Sequence, residues 1–148
     1  MAAAEPLSAE EQRALRALVG IIIPASAAHG VPGADDSSIY ADILASLGPE
    51  VGKVRAGLQR LDALAGGSFA DLDVARRQAV AFQFRDTEAD ALPPWVSITV
   101  QCYYRDDRVM HSLGMEARPP FPKGFQVEQG DWSLLDAVRA RPKLYRDA

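Results

Sequence analysis

The 148-residue sequence predicts an all-α fold: a compact bundle of about five to six helices, then an extended Pro/Gly-rich C-terminal segment ending in a short helix. Apolar residues recur at three- and four-residue spacing in successive segments. Helix-starting side chains stand just before those segments, and proline or glycine stands after them. The length fits one domain, residues 1–148, with the bundle over 1–114 and a docking tail over 115–148. A chain of this size buries about two-thirds of its unfolded surface and needs no disulfide or metal to fold.

The first helix starts at Ser8, whose hydroxyl can accept from the backbone three residues on while Glu11 reaches back to the Ser8 N–H. Leu15, Leu18, Val19 and Ile22 then share one face, and Pro24 ends the helix. PASAAHGVPGADDSS reads as an ordered loop. Asp35 and Asp36 can cap a second helix with Ile39, Ile43, Leu44 and Leu47 inward, which Gly48-Pro49 stops before opening the next. In that third helix Val54, Leu58, Leu61 and Ala65 form the stripe, and Gly66-Gly67 closes it. A fourth is expected from about Asp71 to Phe84, with Leu72, Ala75, Ala79 and Phe82 inward.

VSITV after Pro93-Pro94 alternates like a strand, but continuation through Cys102, Tyr103 and Tyr104 makes the element too long for a typical strand, and prolines suit a helical first turn. The expectation is a central helix, apolar around most of its circumference. A short turn, DDRVMHSLG, should follow and end at Gly114. Beyond it ARPPFPKGF leads to a last helix from near Asp131, with Trp132, Leu135 and Val138 at helical spacing.

Sixteen basic against 20 acidic residues leave a net charge of −4, divided unevenly. Up to Tyr104 there are 8 basic and 13 acidic side chains, and from Arg105 onward 8 and 7. No basic stripe is present of the kind phosphate neutralisation requires, which argues against nucleic acid as a partner, and RARPKLYR reads as a solvated helix end. The apolar run Leu18–Ile23 is far below the roughly 20 residues of a membrane helix, and direct membrane insertion is not expected. As written, the chain shows neither a basic n-region nor a twin arginine, pointing to a cytoplasmic location. The alternative is a periplasmic one, with the leader missing or carried by a partner.

The run QCYYRDDRVMHSLGM gathers the lone cysteine, two tyrosines and one of the two histidines. Catalysis by Cys102 and His111 would need contact and an orienting third group, and nothing local enforces either. Cys102 among Ile98, Val100 and Tyr103 reads as a small buried hydrophobe, and His111 as a helix-end residue. His29, Asp35 and Asp36 share a loop without metal-ligand spacing, and GGSF lacks the strand and lysine of a phosphate cradle. No catalytic, cofactor-binding or metal residue is therefore assigned. One of Tyr103 and Tyr104 should face the core and the other elsewhere, since helix neighbours point about 100° apart. YYRDD, RPPFPKGF and DWSLL are rich in residue types that anchor interfaces, and two expectations stand side by side for the tail: it wraps its own bundle or it docks on another chain, with room for both on different faces.

In order along the chain, Ile22-Ile23-Pro24, Pro32-Gly33-Ala34 before Ile39-Tyr40, Gly67-Ser68-Phe69, Tyr103-Tyr104-Arg105-Asp106, Leu113-Gly114 and Pro122-Lys123-Gly124 resemble the gluconate 2-dehydrogenase subunit 3 family. These pieces span most of the sequence, and none is a catalytic signature. The resemblance implies a noncatalytic small subunit, without cofactor, that binds and stabilises a larger FAD-dependent oxidoreductase of the glucose-methanol-choline (GMC) type acting on a sugar or other alcohol. FAD would sit in that partner. Family members commonly carry a twin-arginine signal, which this sequence lacks. Tyr104, Arg105, Phe121, Phe125 and Trp132 are the candidate partner anchors. The rival expectations are a stand-alone helical enzyme or ligand binder using Cys102, Tyr103, Tyr104 and His111, and a self-associating module that forms a homo-oligomer without any flavoprotein.

Overall fold

A computed structural model describes residues 5–87, 94–119, 121, 123–124 and 126–142. The described residues form helices and turns, with one isolated bridge between Ser26 and Val31. The chain divides into two compact units, Met1–Ala117 and Arg118–Ala148. The first holds α1 (Ala9–Ile22), α2 (Ser37–Ser46), α3 (Val51–Ala65), α4 (Val74–Thr87), α5 (Trp95–Tyr104) and α6 (Asp107–Ser112). In the second, a 3₁₀ turn Trp132–Leu135 runs into α7 (Asp136–Arg139). The all-α bundle read from the sequence is thus the observed fold.

α1 is the organising helix, because α3, α4, α5 and the 3₁₀ turn Phe69–Asp71 all pack on it. Its start is the capping box: Ser8 Oγ accepts from Glu11 N at 3.2 Å, and Glu11 Oε2 accepts from Ser8 N at 2.7 Å. The other Glu11 oxygen takes Arg55 Nε of α3 at 2.8 Å, so one carboxylate both starts a helix and fixes its neighbour. Leu15 and Val19 are wholly buried with Ile39, Ile43, Val54, Leu58 and Leu61. Asp36 caps α2 through Ser38 N, and Gly48-Pro49 makes a 3₁₀ turn that continues directly into α3. α3 ends on Gly66 at φ 70°, a left-handed conformation that glycine adopts without a Cβ clash.

The loop between α1 and α2 is tightly laid. Ser26 and Val31 exchange backbone hydrogen bonds at 3.0 and 3.1 Å, Ala34 N donates to Ile23 O at 2.9 Å, and Ala34 is fully buried. A Cβ on Gly33 would lie 2.5 Å from Asp35 Oδ1 and 2.9 Å from the Ala25 amide. That close approach explains the glycine in Pro32-Gly33-Ala34.

Three elements differ from expectation. α4 begins at Val74, with Asp73 Oδ1 accepting from Arg76 N at 2.9 Å, and its buried side chain is Phe84. Val80 and Ala81 are partly buried beside Phe84, whereas Ala75 and Ala79 are exposed and Phe82 is 52% exposed. The helix is apolar on more than one side, and the Phe84–Trp95 ring contact, with centroids 5.5 Å apart, selects the Phe84 side. α5 buries one face only: Trp95, Thr99, Cys102 and Tyr103 point inward, while Val96 and Val100 are over a third exposed. Last, DDRVMHSLG is not a simple turn. Asp106 accepts from Arg108 N and starts α6, whose Val109 is buried.

Thr99 is fully buried and its hydroxyl has no hydrogen-bond partner among the described residues. An orphaned hydroxyl costs stability, and valine has the same shape without it. Thr99→Val is therefore expected to stabilise the chain by about 1 kcal/mol in urea unfolding. A comparable loss would show that the hydroxyl is satisfied.

Candidate functional site

The sequence run Gln101–Met115 folds as the end of α5, the Arg105 junction and α6, and it packs on the α1–α2 loop and α2. Tyr103 and Tyr104 separate as expected of helix neighbours. Tyr103 is buried and donates its hydroxyl to Pro32 O at 3.0 Å, and burial raises its phenol pKa. Tyr104 is 53% exposed and meets the Tyr103 ring edge-on with centroids 5.3 Å apart. Together they line a groove of about 310 Å³ with Pro24, His29, Ser112 and Leu113.

Val96, Val100 and Tyr104 stand four residues apart along α5, so they occupy one face of it. All three are exposed, and Leu113 and Met115 beyond α6 are more than half exposed. At the other end of this stripe a second groove of about 330 Å³ is lined by Leu18, Ile22, Phe82, Phe84, Trp95 and Val96. The bundle thus presents an apolar stripe with a groove at either end, a surface type associated with interaction sites.

Two arginine clasps hold the α5–α6 corner on α2. Arg105 donates to both oxygens of Asp42, at 2.6 and 2.5 Å, and to Ser46 Oγ at 2.8 Å. Arg108 reaches Asp36 Oδ1 and Ser38 Oγ at 2.8 Å each, and Asp106 Oδ2 at 3.0 Å. Arg105, read from the sequence as a partner anchor, is thereby engaged within the bundle. Hydrogen bonds from Arg108, then Ser38, hold the Asp36 carboxyl well below the usual range, Arg108 likewise lowers Asp106, and Arg105 lowers Asp42 in the same way.

A carboxylate whose folded pKa is depressed contributes stability that is complete above its unfolded pKa and is lost as pH falls through the folded value. The clasps should therefore add nothing to the slope of stability at neutral pH, and should weaken below about pH 4. Arg108→Ala is expected to flatten the acid limb of a melting-temperature-versus-pH curve, because it returns Asp36 and Asp106 toward ordinary values. An unchanged acid limb would contradict this.

Cys102 is buried; its thiol donates to Ser46 Oγ and accepts from Arg105, both at 3.5 Å. Burial first of all pushes the thiol pKa up, the opposite of a nucleophile's tuning. His111 lies exposed on α6, and its carbonyl accepts from Gly114 N at 3.0 Å. The thiol's partners are thus Ser46 and Arg105, not the imidazole. A thiol reagent should label the native chain at least about a hundredfold more slowly than the unfolded chain. Equal rates would show an accessible cysteine.

In the second unit, Phe121 is 83% and Trp132 60% exposed, and Val127, Leu134 and Val138 are exposed as well. Phe125, the remaining anchor named from the sequence, lies outside the described residues. The sequence reading missed Val96 and Val100 as surface residues. Their four-residue spacing with Tyr104 carried the signal, but β-branched character made the whole segment look buried.

Among the described residues no group of three or more His, Cys, Asp or Glu side chains could hold a metal ion, and no helix is long and apolar enough to cross a membrane. No protein-family model, curated protein or solved structure matches this chain.

Proposed function

We propose that the chain is a noncatalytic helical subunit that binds and stabilises a larger FAD-dependent oxidoreductase of the GMC type, acting on a sugar or other alcohol. The sequence resemblance supplies the partner class. The carrying observation is the exposed Val96-Val100-Tyr104 stripe of α5, an apolar helix face of a kind partner chains cover. Tyr104 offers a large, rigid ring at its end, and Phe121 and Trp132 offer two more in the second unit. The flavin belongs to the partner. Burial of Cys102 and the use of the Tyr103 hydroxyl on Pro32 fit structural duties for both.

Co-expression with a flavoprotein encoded beside this chain, followed by affinity capture, tests the reading. Co-purification, with the flavoprotein losing stability when expressed alone, is expected. Failure to co-purify, with the flavoprotein fully stable and active alone, would overturn it.

A further inference from the structure

We propose that the isolated chain self-associates through its C-terminal helical segment, the apolar side of that segment being covered by the same segment of a second copy lying antiparallel to it. Trp132, Leu135 and Val138 are spaced by three through the 3₁₀ turn and α7, which sets them along one side, and they are 60%, 41% and 55% exposed. Every described residue from 126 to 142 is exposed. Units below about 40 residues rarely hold a core without a staple or a second chain. Yet the local order is well encoded: Asp131 Oδ1 accepts from Ser133 N at 3.0 Å and from Ser133 Oγ at 2.6 Å, which starts the helical turn.

Charge selects the occupant and its direction. Glu128 and Asp131 stand at the start of the segment and Arg139 and Arg141 at its end, with Asp136 between them at the head of α7. A two-fold axis across the segment sets each acidic start opposite the other copy's basic end, whereas parallel alignment would oppose like charges. The patch is self-complementary, and the arrangement closes at two copies. Arg139 also pairs with Asp136 of its own turn at 3.2 Å, but both groups are more than 60% exposed. An exposed pair of this kind holds weakly and is readily exchanged for one between chains. The segment is only two turns long, so the contact falls below about 1,000 Å² and the dimer should dissociate in the micromolar to millimolar range.

Sedimentation equilibrium of the full chain, without any flavoprotein, provides the test. A concentration-dependent dimer is expected, weakened at least about tenfold by Trp132→Ala. Arg139→Glu/Arg141→Glu and, separately, Glu128→Lys should each weaken it while keeping the Asp131 cap, and mixing the two variants should restore pairing. A wild-type monomer at all concentrations, a dimer indifferent to these substitutions, or a mixture that does not recover would each overturn the proposal. Because no flavoprotein enters the experiment, its outcome is independent of the co-purification result.

Discussion

Phe69→Ala is expected to destabilise the chain by about 3–5 kcal/mol, the range for emptying a buried aromatic site. Phe69 is wholly buried in the 3₁₀ turn that packs against α1 and α3, and its amide donates to Asp62 Oδ1 at 2.8 Å. The ring therefore fills the junction while the backbone bond fixes the turn just past the left-handed Gly66. Domains of this size hold only about 5–15 kcal/mol in total, so the variant should be marginally folded at 37 °C. Phe69→Leu keeps most of the volume and should cost less than about 1.5 kcal/mol. Chemical denaturation of the three proteins decides it. A loss below about 1 kcal/mol for the alanine variant would show that the turn collapses into the space without penalty.

Tyr104→Ala combined with Trp132→Ala should weaken capture of the flavoprotein by at least about a hundredfold while leaving the melting temperature of the free chain nearly unchanged. Both rings are more than half exposed, so their removal opens no cavity. Anchors of this type commonly contribute about 2 kcal/mol or more each at an interface, and a tenfold change in affinity corresponds to about 1.4 kcal/mol. Quantitative pull-down alongside calorimetric melting reads both quantities. A large fall in melting temperature would recast either ring as structural, and unchanged capture would move the interface elsewhere.

The starts and stops of the first three helices were legible because caps act over three or four residues. Ser8 with Glu11, Asp36, and the glycine after Ala65 all act as their spacing suggests. The inward face of α4 was not legible, since its Phe82 and Phe84 differ only in which ring meets Trp95, a contact outside the helix's own sequence. The same limit applies to the α2–α5 corner. Arg105 and Asp42 are 63 positions apart, and no local pattern marks either as the other's partner. An arginine beside two tyrosines therefore read as an interface residue when its first engagement is with α2. The division of labour between Tyr103 and Tyr104 was foreseen in kind, but the carbonyl of Pro32 decides which is which.

The α5 surface also changes the meaning of a hydrophobic run. VSITVQCYY looked like a core helix, yet one face is packed and the other, Val96-Val100-Tyr104, lies open. A helix apolar on two sides in a bundle that covers one of them leaves its second side open, and that open side is the surface proposed for the partner.

Hydroxyl-radical footprinting of the purified chain with and without the co-expressed flavoprotein tests the central claim most directly, because it reads the exposure of individual aromatic side chains. At concentrations below the range in which the chain pairs with itself, Tyr104 and Trp132 are expected to react strongly in the free chain and to become protected in the complex, with Tyr103 unreactive in both. Equal reactivity of Tyr104 in the free and bound chains, in a complex shown to be intact, would contradict the assignment of this face to the partner.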